Sequence, residues 1–204
     1  MRNFIKAMNE IEMVLIFLSA FNYKSTDENI TIKSISQNDH SKIDVLLTHC
    51  QENYNFQIKQ ILYDSETIST SENNSVQGST KAFIKYYKGE TKTTPELLVF
   101  DKVQRPGIDV INDYISDKVT NLYPSDIKEN LDLLIYLDTL ALKFTEKCIH
   151  NNKQKLKTFG FRSIACVHSM NYASVIFISD KSPKILKENY GTIYDLKKGG
   201  LIYF

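Results

Sequence analysis

Three residues on two neighbouring apolar runs carry chemistry most plainly: Asp44, Gln57 and Lys59. Asp44 interrupts Ile43-Asp44-Val45-Leu46-Leu47, a costly place for a carboxylate without a partner. Asn53 to Leu62 forms the second run, with Gln57 and Lys59 two apart. Alternate residues of a strand share a face, so Gln57 and Lys59 project together beside Asn55, while Phe56 and Ile58 take the other side. An acid on one strand, with an amide and a lysine on the next, is a layout for a divalent cation. Glu10 is a further acid. On a helix it falls on the flank of Met13, Val14, Phe17 and Phe21, where it either suits the macrodipole of the first turns or faces a site.

The elements that must position these groups follow from periodicity. Both runs are bounded by Asn- and Gln/Glu-containing breaks and read as adjacent antiparallel strands. The alternation of Ile30-Thr31-Ile32-Lys33-Ser34-Ile35 predicts the first strand of the same meander. Before it, Phe4, Met8, Ile11, Leu15 and Leu18 recur at helical spacing, which predicts a buried helix from about residue 3 to 22. Glu10 and Glu12 stand just ahead of its apolar run, which argues against a secretory signal, and the run is too short to span a bilayer.

Past the meander, residues 64–80 are Ser, Thr, Asn and Glu with little to bury, and are expected to form a mobile surface loop. Lys81, Lys85, Tyr86 and Lys88 then interleave cations with aromatic rings, a pattern that stacks on bases and tracks phosphates. Helical spacing explains the same stretch with Phe83, Ile84 and Tyr87 inward and the lysines solvated, and that plainer account is preferred. Pro106-Gly107 opens a helix striped by Ile108, Ile111, Ile115 and Val119. Pro124-Ser125-Asp126 opens a second, read through Leu131, Leu134, Ile135, Ala141, Leu142 and Cys148 to about residue 150. Residues 163–167 and 173–178 read as buried strands, followed by a short helix after Pro183. A terminal hairpin is expected from 191–194 and 201–203 about Gly199-Gly200.

Composition narrows the classes. A chain of 204 residues fits one domain spanning its whole length. A net charge of +1 leaves no global footprint for nucleic acid, so any such surface is local. Three widely spaced cysteines point to reduced thiols in a cytoplasmic protein. There is no glycine-rich phosphate loop and no Gly-x-Ser-x-Gly elbow, which excludes kinase, dinucleotide and serine-hydrolase chemistry. Cys148-x-His150 and Cys166-x-His168 are spaced too closely within each pair for an ordinary zinc site. His49 and Cys50, as strand neighbours, are expected to point apart and form no nucleophilic pair.

The helix bearing Glu10, then Asp44, then Gln57-x-Lys59 resembles the core of the restriction-endonuclease-like, or PD-(D/E)xK, superfamily. Most of the chain also resembles a bacterial family, domain of unknown function 1780. The likeness rests on Ile43-Asp44-Val45, Phe56-Gln57-Ile58, Leu131-Asp132-Leu133-Leu134, Phe161-Arg162-Ser163-Ile164, Val175-Ile176-Phe177, and Leu186 to Tyr194 with Asn189 and Gly191. The resemblance implies an α+β sandwich: a central mixed sheet in the order helix, strand, strand, strand, helix, strand, with added helices. It implies a metal-dependent nuclease acting on DNA or RNA, with Mg2+ or Mn2+ as cofactor; no membrane partner is expected, the apolar N-terminal run being too short to span a bilayer. Many enzymes of that fold work as homodimers. Asp44, Gln57, Glu10 and the main-chain carbonyl of Ile58 would then serve the metal, and Lys59 would position the attacking water. Gln57 departs from the pattern, which prefers Asp or Glu there. Two alternatives follow: a catalytically degenerate module that binds nucleic acid or protein, and an unrelated α+β protein whose Asp and Lys form a structural ion pair.

Overall fold

Among the described residues seven strands pair side by side in the order in which the chain makes them. The computed structural model describes residues 2–21, 30–35, 42–62, 106–138, 145–168 and 172–196. The loop expected at 64–80, the candidate nucleic-acid residues Lys81, Lys85, Tyr86 and Lys88, and the 201–203 half of the expected hairpin lie outside the described residues.

After helix α1 (Arg2–Ser19), strands β1 (Ile30–Ser34), β2 (Val45–His49) and β3 (Glu52–Leu62) form the antiparallel meander that the alternation predicts. The β2–β3 turn places Cys50 and Gln51 at φ 48° and 67°. Two consecutive positive φ values match the twist that a tight hairpin requires. This turn also corrects the reading of His49 and Cys50. Cys50 leaves the strand in the turn, and its Sγ comes within 3.3 Å of His49 Nε2.

β3 pairs in parallel with β4 (Asp132–Asp138), and β4 in parallel with β5 (Ser163–His168). β6 (Tyr172–Ile178) and β7 (Ile193–Asp195) close the sheet with antiparallel pairs. Parallel neighbours need crossovers. Helices α2 (Gly107–Tyr114) and α3 (Ser125–Lys128) lie between β3 and β4; α4 (Glu146–Asn151) and α5 (Lys153–Lys157) lie between β4 and β5. The helix expected from 124 to 150 is therefore corrected. It breaks into α3, β4 and α4. Leu133, Leu134, Ile135 and Leu137 are buried on both faces, and a strand buried on both faces is apolar without alternation, which imitates a helical segment in sequence.

Two apolar layers sandwich the sheet. On one face Ile108, Ile111, Ile115 and Val119 of the α2 region join Ile149, Leu156 and alternate residues of β4 and β5, Leu133, Ile135, Ile164 and Cys166. The expected stripe of α2 is thus the buried one. On the other face Val14, Phe17 and Leu18 of α1 and Ile185 and Leu186 of α6 (Lys184–Glu188) cover Val45, Tyr54, Phe56, Ala165 and Val175. Among the described side chains of the expected stripe Leu18 is sealed and Ile11 and Leu15 are half-buried; Val14 and Phe17 are sealed as well, so the buried face takes in the flank that includes Glu10.

Candidate functional site

The last residue pair between β2 and β3 is Val45 with Phe56, yet β3 runs on to Leu62 against β4. Beyond Phe56 the β2 side of β3 is thus released from the meander. Asp44 stands at the fork. Its main-chain N–H donates to Phe56 O at 2.9 Å, and its carbonyl accepts from Ile35 N at 2.9 Å. Beyond the last β2 pair its carboxylate Oδ2 accepts the Ile58 N–H at 2.8 Å. A strand residue's N–H and C=O point to the same neighbour. The Ile58 carbonyl therefore lies along the same released edge.

Gln57 contacts the same oxygen, its amide Nε2 donating to Asp44 Oδ2. The side chain is buried, 5% exposed. Alternation sends Tyr54, Phe56 and Ile58 toward α1 and leaves Gln57, Lys59 and Ile61 toward α2. Lys59 is half-buried, and its Nζ lies 5.9 Å from the ring centroid of Tyr123. That is within cation–π range.

Tyr123 is a residue that sequence patterning did not single out. It follows a π-helical turn (Ile115–Val119) and a 3-10 turn (Thr120–Leu122) at the end of α2. Thr120 Oγ1 donates to Ile115 O at 2.9 Å, and the buried Lys128 Nζ donates to Thr120 O at 3.3 Å, so this segment is tied from both sides. Phe161 meets the Tyr123 ring edge-on at 6.3 Å. Burial, and then the charge of Asp44, push the hydroxyl up to about 12.

A second polar group anchors the other end of β3. Asp132, 1% exposed, accepts the Asn55 N–H at 3.0 Å, the Ser163 hydroxyl at 2.6 Å and Arg162 Nε at 3.0 Å. Arg162 also donates to Asn53 O at 3.0 Å. Burial pushes the Asp132 carboxyl up, while the Arg162 guanidinium, the Ser163 hydroxyl and the Asn55 amide pull it down. This cluster pins β3 to β4 and β5 two residues before Gln57. An acid within the apolar run Leu131-Asp132-Leu133 was the available sequence signal.

The sheet does not put Glu10 beside Gln57 and Lys59. Glu10 is buried on α1, one turn before Val14, in the layer that covers Tyr54 and Phe56. Gln57 and Lys59 leave β3 on the opposite face.

The donors at the fork suit a hard divalent cation in kind: a carboxylate, an amide oxygen and a main-chain carbonyl, all oxygen. In charge the set is lean. Among the described residues no three His, Cys, Asp or Glu side chains gather, so Asp44 is the one anionic ligand of this set. Gln57 turns its nitrogen toward Asp44. A half-turn of the amide would present its oxygen instead without moving the backbone.

The family model described as "Putative endonuclease, protein of unknown function (DUF1780)" matches residues 3–201. The chain belongs to the DUF1780 family. No curated protein matches this DUF1780 chain. A solved structure, a protein of unknown function from Pseudomonas aeruginosa strain PAO1 assigned to the monooxygenase superfamily, is 14% identical to it. That likeness covers 93% of this chain and 82% of the other, with a TM-score of 0.44. Among the described residues of the DUF1780 chain no helix is long and apolar enough to cross a membrane.

Proposed function

We propose that this protein is a divalent-cation-dependent nuclease that hydrolyses phosphodiester bonds in DNA or RNA. One observation carries the reading: Asp44 and Gln57 meet at the released edge of β3, with Lys59 next on the same face. The endonuclease description of the family supports it. Asp44, Gln57 through its amide oxygen, and the Ile58 carbonyl would hold Mg2+ or Mn2+. When bound, the cation would supply Lewis-acid stabilisation of phosphate charge. Lys59 orients the attacking water and offsets the charge that develops on the phosphate. Glu10 is left out of this set because α1 covers the other face of the sheet.

A second reading has an observation of its own. Asp44 Oδ2 already accepts two N–H donors from the chain, and the residue at 57 is neutral. Such a site is satisfied without a cation, as in a module that binds nucleic acid and does not cut it.

An assay of single- and double-stranded DNA and RNA with Mg2+ or Mn2+ separates the two. The nuclease reading expects cleavage that a chelator abolishes and that Lys59→Ala lowers by about 100-fold or more. Binding without cleavage, indifferent to chelator, establishes the second reading. Cleavage undiminished in Lys59→Ala removes the site.

A further inference from the structure

The Tyr123 side chain has more packing than bonding. Its ring is 7% exposed, gripped by Phe161 on an edge and approached by Lys59 Nζ. Its hydroxyl makes no hydrogen bond among the described residues and is not one of their sealed, unpartnered polar atoms, so it is open to solvent. A buried ring whose hydroxyl still reaches solvent leaves a donor that a ligand can take up. This one lies on the face of β3 that carries Gln57 and Lys59, and the Asp44 charge acts on it. A free donor set beside a lysine is what an anionic oxygen requires.

We infer that Tyr123 is a fourth member of the site, whose hydroxyl donates a hydrogen bond to a non-bridging oxygen of the phosphodiester held at Lys59. The inference rests on the nuclease reading and deepens it, since it names the group that takes the substrate's phosphate. Two features make the residue suited to the task. The hydroxyl stays protonated at neutral pH, so it remains a donor beside Asp44 rather than a second anion. The ring sits against the Lys59 ammonium, so donor and cation are held in one arrangement before substrate arrives. Loss of the donor alone, with the ring kept, isolates its contribution.

The test compares wild type, Tyr123→Phe, Tyr123→Leu and Lys59→Ala, each checked for an unchanged fold by its melting curve. The probe is a fluorescent oligonucleotide, with binding read by anisotropy in chelator and cleavage read in Mn2+. Tyr123→Phe keeps the ring against Lys59 and Phe161 and is expected to weaken binding and cleavage by roughly ten-fold or more, the worth of a hydrogen bond to a charged group. Tyr123→Leu, which also removes the cation–π partner, is expected to lose more. Full activity in Tyr123→Phe together with loss in Lys59→Ala overturns the role of the hydroxyl and leaves the nuclease reading standing. Wild type that neither binds nor cuts, with Lys59→Ala indistinguishable from it, overturns both.

Discussion

At the scale of single residues, the account turns on one carboxylate oxygen. Asp44 Oδ2 accepts a β3 N–H just past the point where β2 pairing ends, and the Gln57 amide shares it. Asp44→Ala would leave the Ile58 N–H and the Gln57 amide without that acceptor, at a cost of about 1–3 kcal/mol. A urea titration checks it; an unchanged midpoint would show that the carboxylate does not bear on the fold. Tyr123 offers a second check through its proton. Its folded-state value is raised from 10.0 to about 12, first by burial and then by Asp44. The folded chain therefore holds this proton more tightly than the unfolded one. The stability from this group is fully present below pH 10 and is lost as pH rises through about 12. Absorbance of tyrosinate, read as the difference between wild type and Tyr123→Phe, should show Tyr123 unionised at pH 10.5. In Asp44→Asn its titration moves down while staying above the ordinary value, because burial remains. No difference between the two backgrounds would place Asp44 out of reach of the ring.

At the scale of elements, β3 is the organising strand, pinned by Asp132 at Asn55 and by Asp44 at Ile58. The Asp132–Arg162 pair fixes its N-terminal half. Arg162→Ala would leave a carboxylate that is 1% exposed without its cation and is expected to cost about 3–5 kcal/mol by chemical denaturation. A loss under 1 kcal/mol would mean that Ser163 and Asn55 alone satisfy the acid. The junction before β7 shows the same economy of space. Gly191 has φ 85°, and a Cβ there would lie 2.7 Å from the His150 ring. Gly191→Ala is expected to destabilise by roughly 1–3 kcal/mol. His150→Ala in the same chain should restore the steric part and leave the backbone strain. Equal losses with and without His150 would rule out the clash.

These elements also show what the sequence disclosed. The meander was legible because each of its strands has one apolar face, and that alternation survives in Tyr54, Phe56 and Ile58 against Gln57 and Lys59. The centre of the sheet was not. β4 is buried on both sides, so its residues carry no alternation, and the run merged with the helices on either side of it. For α1 the helix was legible and its buried face in part: Leu18 of the expected stripe is sealed, but apolar residues occupy both candidate lines, and packing on Val45 and Phe56 also seals Val14 and Phe17. Of the proposed site, Asp44, Gln57 and Lys59 were readable from spacing. Tyr123, inferred as its fourth member, was not, because it comes from an irregular segment more than sixty positions away from Lys59 and no periodicity links them.

At the scale of the molecule, a mixed sheet between two apolar layers gives the chain a fork where antiparallel and parallel halves part at β3. The parallel half fixes β3, β4 and β5 through residues sealed on both faces, and the antiparallel half brings Asp44 to the released edge. The proposed function at that fork depends on whether a single carboxylate with an amide suffices for a cation. Titration of Mn2+ into wild type, Asp44→Asn and Gln57→Glu, followed by calorimetry, asks this directly. The account predicts that wild type binds Mn2+, that Asp44→Asn weakens binding about ten-fold or more, and that Gln57→Glu, by adding a second carboxylate, tightens it. Equal heats in all three proteins, or no binding in any, would contradict it.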